Sequence, residues 1–188
     1  SDVYKRQTEE HPLKPQSPYA AAKAGGDRLA YSYWVTYGLP IVILRPFNIY
    51  GPNQFPEKLI PLFVTNAIDD LTLPVYGTGK NTRDWTHVED TCRALRACLQ
   101  TDIQRVKGEV INLGTGRDFD VLWIARRVLE KLERPESLVK MVEDRPGHVQ
   151  RLLTSTNKAE ALLGWKAETS FPIITEVLTP HDVELVAR

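Results

Sequence analysis

The chain of 188 residues is short of cysteine, with only two, and it has no surplus of charge of either sign. Its 24 Lys+Arg balance 24 Asp+Glu, so no bulk field recruits nucleic acid or an anionic membrane. Any anionic ligand must be held by a few placed cations. Cys92 and Cys98 lie on an expected helix and point different ways, which excludes a disulfide framework and reads as reduced thiols in a cytoplasmic protein. No apolar run is long enough to span a bilayer, and the first residues carry no apolar signal segment, so no membrane partner is expected. Internal repeats and low-complexity segments are absent. A nucleotide-binding glycine signature is also missing: Gly114-Thr115-Gly116 follows an expected strand but has Phe119 at the third glycine position. Gly79-Lys80 is followed by Asn81 and lacks the upstream glycine of a phosphate loop.

What remains is an ordinary globular composition, 42% apolar and 26% charged, long enough for a domain with a core. The most informative stretch is Ser17-Pro18-Tyr19-Ala20-Ala21-Ala22-Lys23. Ser17 suits a helix cap and Pro18 a first helical position, so Tyr19 and Lys23 share one face a turn apart. A phenol ionises near pH ~10 and needs a neighbouring positive charge to act as a base near neutrality. Spacing alone is weak evidence, because Tyr76 and Lys80 have it too across a Gly77-Thr78-Gly79 turn. By itself the Tyr19–Lys23 pair reads equally as an ordinary helix-surface pair.

The pattern along the chain is that of a mixed α/β protein. A helix runs from Ser17 to about Tyr37 and closes at Gly38. Pro40–Leu44 follows as a strand apolar on both faces, the mark of a buried parallel sheet, and Arg45–Pro52 reads as the loop at its end, where open α/β sheets place ligands. Further helices are expected near Pro56–Ile68, Val88–Leu99, Val121–Leu132 and Asn157–Leu163. Strands are expected near Leu73–Tyr76, Asp84–Val88, Glu109–Leu113 and Val139–Val142, with a loop over Asp144–His148 and an amphipathic stretch after Phe171.

Tyr19-x-x-x-Lys23, a strand, and then Arg45-Pro-Phe-Asn48-Ile-Tyr-Gly-Pro52 resemble the extended short-chain dehydrogenase/reductase (epimerase/dehydratase) superfamily of nucleotide-sugar enzymes. Gln54-Phe-Pro-Glu-Lys-Leu-Ile-Pro-Leu62, Leu73–Gly79 with Arg83-Asp84-Trp85, and Asp144-Arg-Pro-Gly-His148 narrow it to the dTDP-glucose 4,6-dehydratase branch. The resemblance implies a Rossmann-type doubly wound parallel sheet, a smaller α/β substrate domain, NAD as cofactor, no metal, a nucleotide-diphosphate sugar as substrate, and a homodimer. The implied reaction is oxidation at C4, loss of water, and return of hydride to C6.

The resemblance also assigns roles, each with a plainer reading beside it. Tyr19 is the base, and Lys23 holds the cofactor ribose. Asn48 contacts the substrate diphosphate, or closes its own turn. Arg83 and Arg145 neutralise the diphosphate, or pair with the adjacent Asp84 and Asp144. Tyr76 stacks on the nucleobase, or is core. Lys58, Leu59 and Asn112 match further nucleotide contacts, although Lys58 also reads as a solvated residue. His148 reaches the nucleotide or braces the Pro-Gly turn.

Departures qualify the branch. The glycine-rich cofactor turn and the Thr-Asp-Glu group of the dehydratases are not in the sequence. Val149 and Ser155 stand where acidic residues are usual. The expected division is an unassignable 1–7, the C-terminal part of a cofactor domain over 8–52 with elements near 82–113, a nucleotide-sugar domain over 53–178, and a tail over 179–188. On this reading the chain is the C-terminal part of a longer enzyme and is inactive alone. The alternatives are a UDP-sugar 4-epimerase, a UDP-glucuronate decarboxylase, or a non-catalytic nucleotide-sugar sensor.

Overall fold

Helix α1 covers Pro18–Tyr37, and its ends are set locally. The Ser17 side chain accepts a hydrogen bond from the Ala20 N–H, proline opens the first turn, and Gly38 closes the helix in the left-handed region at φ 68°. The computed structural model describes residues 6–169 and 171; the stretch after Phe171 lies outside them.

The chain continues through β1 (Ile43–Pro46), β2 (Asn48–Tyr50), α2 (Leu59–Ile68), β3 (Leu73–Tyr76), β4 (Thr82–His87), α3 (Val88–Gln100) and α4 (Ile103–Val106). Then come β5 (Val110–Leu113), β6 (Asp118–Asp120), α5 (Val121–Lys131), β7 (Val139–Val142), β8 (Arg151–Leu152) and α6 (Asn157–Leu163). The fold is mixed α/β with mainly parallel pairing. β1 pairs with β5 and β3 with β7, both in parallel. β4 is shared: its second half pairs in parallel with β2, while its first half lies between antiparallel β6 and parallel β8.

Two expectations fail around β1. The strand begins at Ile43 rather than Pro40, and it is part-buried rather than buried. Proline has no N–H to give a ladder, and the first strand donor is Ile43 N–H to Glu109 O, at 2.9 Å. Only β5 flanks β1 among the described residues. The expected loop over Arg45–Pro52 is instead the end of β1 and all of β2, because Asn48–Tyr50 find partners in Trp85–His87.

The main core lies between α2, β3, β4 and α5. It contains Phe63, Val64, Leu73, Val75, Ile124 and Val128, each at most 1% exposed. Apolar residues at helical spacing put one face of α5 into it. A smaller core joins Ala94, Ile111, Leu113, Ala159 and Trp165. α1 contributes no buried residue. Cys92 and Cys98 are free thiols. Among the described residues no helix is long and apolar enough to cross a membrane.

Candidate functional site

Tyr19 and Lys23 stand on the first turns of α1, both exposed, Tyr19 at 75%. The helix is fastened further along. Arg45 on β1 grips the Asp27 carboxylate with two hydrogen bonds of 2.6 and 3.0 Å and also donates to Glu9 O. Burial pushes the Asp27 carboxyl up, but the hydrogen bonds from Arg45 and Arg28 outweigh it and hold it below the ordinary range. Near its end α1 lays Trp34 on Gly108, where φ is +78° and the ring leaves no room for a Cβ. The sequence reading missed this Asp27–Arg45 fastening.

Asn48 opens β2 opposite Trp85 of β4. No hydrogen bond from its side chain closes a turn among the described residues; it is a part-buried strand residue. Arg83 sits two residues before Trp85 on the same face of β4. It is part-buried, its guanidinium donates only to Thr82 O at 2.8 Å, and burial pulls its pKa below the ordinary value. Arg45, Arg93, Arg134 and Arg151 are likewise not exposed, and each meets a carboxylate. Among the described residues Arg83 is the one arginine off the surface without such a partner.

Asp84, its sequence neighbour, does not pair with it. Successive side chains on a strand point to opposite faces, and the Asp84 carboxylate enters the turn after β5. It accepts from Thr115 N and Oγ1 at 2.8 and 2.7 Å, Gly116 N at 2.9 Å and Thr154 N at 3.3 Å. Burial pushes this carboxyl up despite those bonds. The Gly114–Gly116 turn is thus filled by the chain's own carboxylate, and Gly114 has no space for a Cβ beside Asp84 and Thr154.

The loop after β7 brings Arg145 to Tyr76. The guanidinium lies 3.9 Å from the ring centroid. Asp144 does not take that guanidinium; it accepts from the Arg145 N–H at 2.8 Å and pairs with His148 Nδ1 at 2.6 Å. The His148 hydrogen bond holds the Asp144 carboxyl below its ordinary range. Asp144 also fits over Gly77, where an added Cβ would lie 2.8 Å from its Oδ2. His148 thereby braces the Pro-Gly turn. Gly147, at φ +70°, rests against Gln16 O beside the start of α1. A cavity of about 320 Å³ lined by Gln7, His11, Gln16, His148, Gln150 and Arg151, with Val149, occupies this junction. A larger one of about 480 Å³ beneath α1, with Glu9, Arg28, Arg45 and Lys158 in its wall, contains none of the candidate residues.

The remaining candidates are spread out. Lys58 is exposed 3.7 Å from Glu57 at the start of α2, and the Leu59 side chain packs on the main core. Asn112 is buried in β5, where its Nδ2 donates to Gln7 O and its N–H to Glu9 Oε1.

A family model described as GDP-mannose 4,6 dehydratase matches residues 2–177. Over 165 residues the chain is 47% identical to the low-salt glycan biosynthesis protein Agl12 of Haloferax volcanii, covering 87% of this chain and 52% of that one. It is 45% identical over 163 residues to a dTDP-glucose 4,6-dehydratase of Actinoplanes sp., covering 87% and 50%. The crystal structure of DesIV, a dTDP-glucose 4,6-dehydratase from Streptomyces venezuelae with NAD and TYD bound, matches with a TM-score of 0.85 at 41% identity, over 97% of this chain and 54% of that one. The chain spans about half the length of the curated relatives it matches. With the matched model covering nearly the whole chain and the same α/β framework in a solved relative, the chain belongs to the GDP-mannose 4,6 dehydratase family, within the extended short-chain dehydrogenase/reductase superfamily.

Proposed function

We propose that this chain supplies the nucleotide-sugar side and the catalytic tyrosine of an NAD-dependent dTDP-glucose 4,6-dehydratase. The observation that carries the reading is Arg83, a part-buried guanidinium that meets one carbonyl and no carboxylate, because a partly desolvated cation without a counter-charge favours an anion that completes it. A diphosphate is such an anion, and a balanced chain must bind it with placed cations. Arg145 supplies a second guanidinium, and Asn48, on the Arg83 face of the shared sheet, an amide. Leu59 and Lys58 offer the start of α2, while Tyr76 offers an aromatic face to the base.

The described residues fit part of NAD. Tyr19 and Lys23 present a hydroxyl and an ammonium suited to its ribose, whereas the Gly114–Gly116 turn after β5 is filled by Asp84. When bound, NAD supplies the hydride acceptor. The chain's own contribution is to hold the diphosphate, and to receive the proton of the sugar 4-hydroxyl at the Tyr19 oxygen. Lys23 places a positive charge one turn from that oxygen. Two free thiols support a cytoplasmic location. The exposed Leu29, Tyr33 and Tyr37, spaced a turn apart on one face of α1, support a homodimer.

Two variants test the reading. Arg83→Ala should weaken dTDP binding, measured by calorimetry, by about 2–4 kcal/mol. In the complete enzyme, Tyr19→Phe should abolish turnover of dTDP-glucose while leaving dTDP affinity within a few-fold. Normal affinity with lowered stability in Arg83→Ala would give that arginine a purely structural role. Retained turnover in Tyr19→Phe would remove the base.

A further inference from the structure

The contact between Arg145 and Tyr76 bears on how the site chooses its ligand, given the reading of that site proposed above. A guanidinium already lies 3.9 Å from the Tyr76 centroid, so a base that stacks on that face of the ring must displace it. The Arg145 side chain has no other partner among the described residues, so only the ring holds it. Its backbone, in contrast, is pinned. The Arg145 N–H donates to Asp144, its carbonyl accepts from the His148 N–H at 3.1 Å, Asp144 is clamped by His148 and Gly77, and Pro146 follows with its fixed φ. The side chain can therefore swing without the loop moving.

We propose that Arg145 makes base recognition at Tyr76 conditional on phosphate, and so acts as a specificity determinant for nucleoside diphosphates over nucleosides. A nucleoside that takes the ring displaces the guanidinium into water and gives it nothing in return. A nucleoside diphosphate displaces it and offers a charge-assisted, forked partner. The ring and the guanidinium then each gain a ligand group, and the two recognitions become coupled in one binding event.

The coupling predicts opposite signs for two ligands on one variant. Thymidine and dTDP are titrated into the 188-residue chain and into Arg145→Ala, following the Tyr76 ring resonances by NMR. Arg145→Ala should bind thymidine about threefold more tightly, because the ring is freed, and dTDP at least tenfold more weakly. Arg145→Lys, which keeps the charge but loses the planar stack, should also bind thymidine more tightly and should recover part of the dTDP affinity. Thymidine affinity unchanged or reduced in both variants, with dTDP weakened, would overturn the proposal and leave Arg145 as a phosphate contact only. If dTDP moves no Tyr76 resonance, and Arg83→Ala and Arg145→Ala both bind it as the parent chain does, the nucleotide site itself is wrong.

Discussion

Helix α1 and the main core of the described structure are built by opposite rules. α1 is a helix of 20 residues without one buried side chain, defined by its caps and held by a carboxylate–guanidinium grip and one tryptophan. α2 and α5, at 10 and 11 residues, contribute four and five buried residues to one continuous core. The proposed proton-transfer pair, Tyr19 and Lys23, stands on the open helix. Arg83, the proposed anion-binding arginine, stands on β4, in the packed part. Positioning by burial suits a group that must hold a charge out of water, whereas an exposed helix face leaves the phenol accessible to what approaches it.

The contrast can be broken most directly in the core. Phe63→Ala should cost about 3–5 kcal/mol, while Leu29→Ala on α1, where Leu29 is 60% exposed, should stay within about 0.5 kcal/mol. Urea denaturation of both variants checks the pair, and a similar loss in each would mean that α1 is as well packed as α5. Next in size is the seam between the sheets. Asp84→Asn keeps the shape but turns one acceptor into a donor that faces an N–H, at a cost of about 2–3 kcal/mol. A shift of the denaturation midpoint at constant slope is the expected reading, and an unshifted midpoint would show that the turn after β5 does not depend on this carboxylate.

The smallest effect sharpens the packed side through pH. Burial, helped by the negative charge of Asp90, pushes the Tyr50 phenol up to about 12, and its hydroxyl is buried without a partner among the described residues. An unfolded phenol ionises near pH ~10. Between ~10 and about 12 the unfolded chain sheds a proton that the folded chain keeps, so stability falls as pH rises, by up to about 1.4 kcal/mol per pH unit. Subtracting the pH profile of Tyr50→Phe from that of the parent should isolate this slope. Identical profiles would mean the hydroxyl is solvated.

What the sequence revealed was what short-range chemistry decides. Ser17-Pro18 and Gly38 bounded α1, and β3, β7 and α6 fell where their local patterns placed them. β2, β6 and β8, of two or three residues, exist only because β4 offers them a ladder, and no local pattern marks them. At the candidate site the pairing of Arg83 with Asp84 looked natural from adjacency, and strand alternation forbids it. The actual partners of Asp84 lie 31 and 70 residues further along, beyond any local reading. Arg145 on Tyr76 is equally beyond a local reading, since the two residues lie on separate elements far apart in sequence.

The shared strand β4 also has a kinetic consequence. It gathers β2 from one side of the sequence and β6 and β8 from the other, while Gln7 bridges to Thr154 across nearly the whole described chain. Such pairings require long loops to close before any ladder rewards them. Folding should therefore be slow and limited by the arrival of β8, with α1 able to form at any time without committing the rest. Mutations in α1 would then alter the unfolding rate, and those along β4 the folding rate.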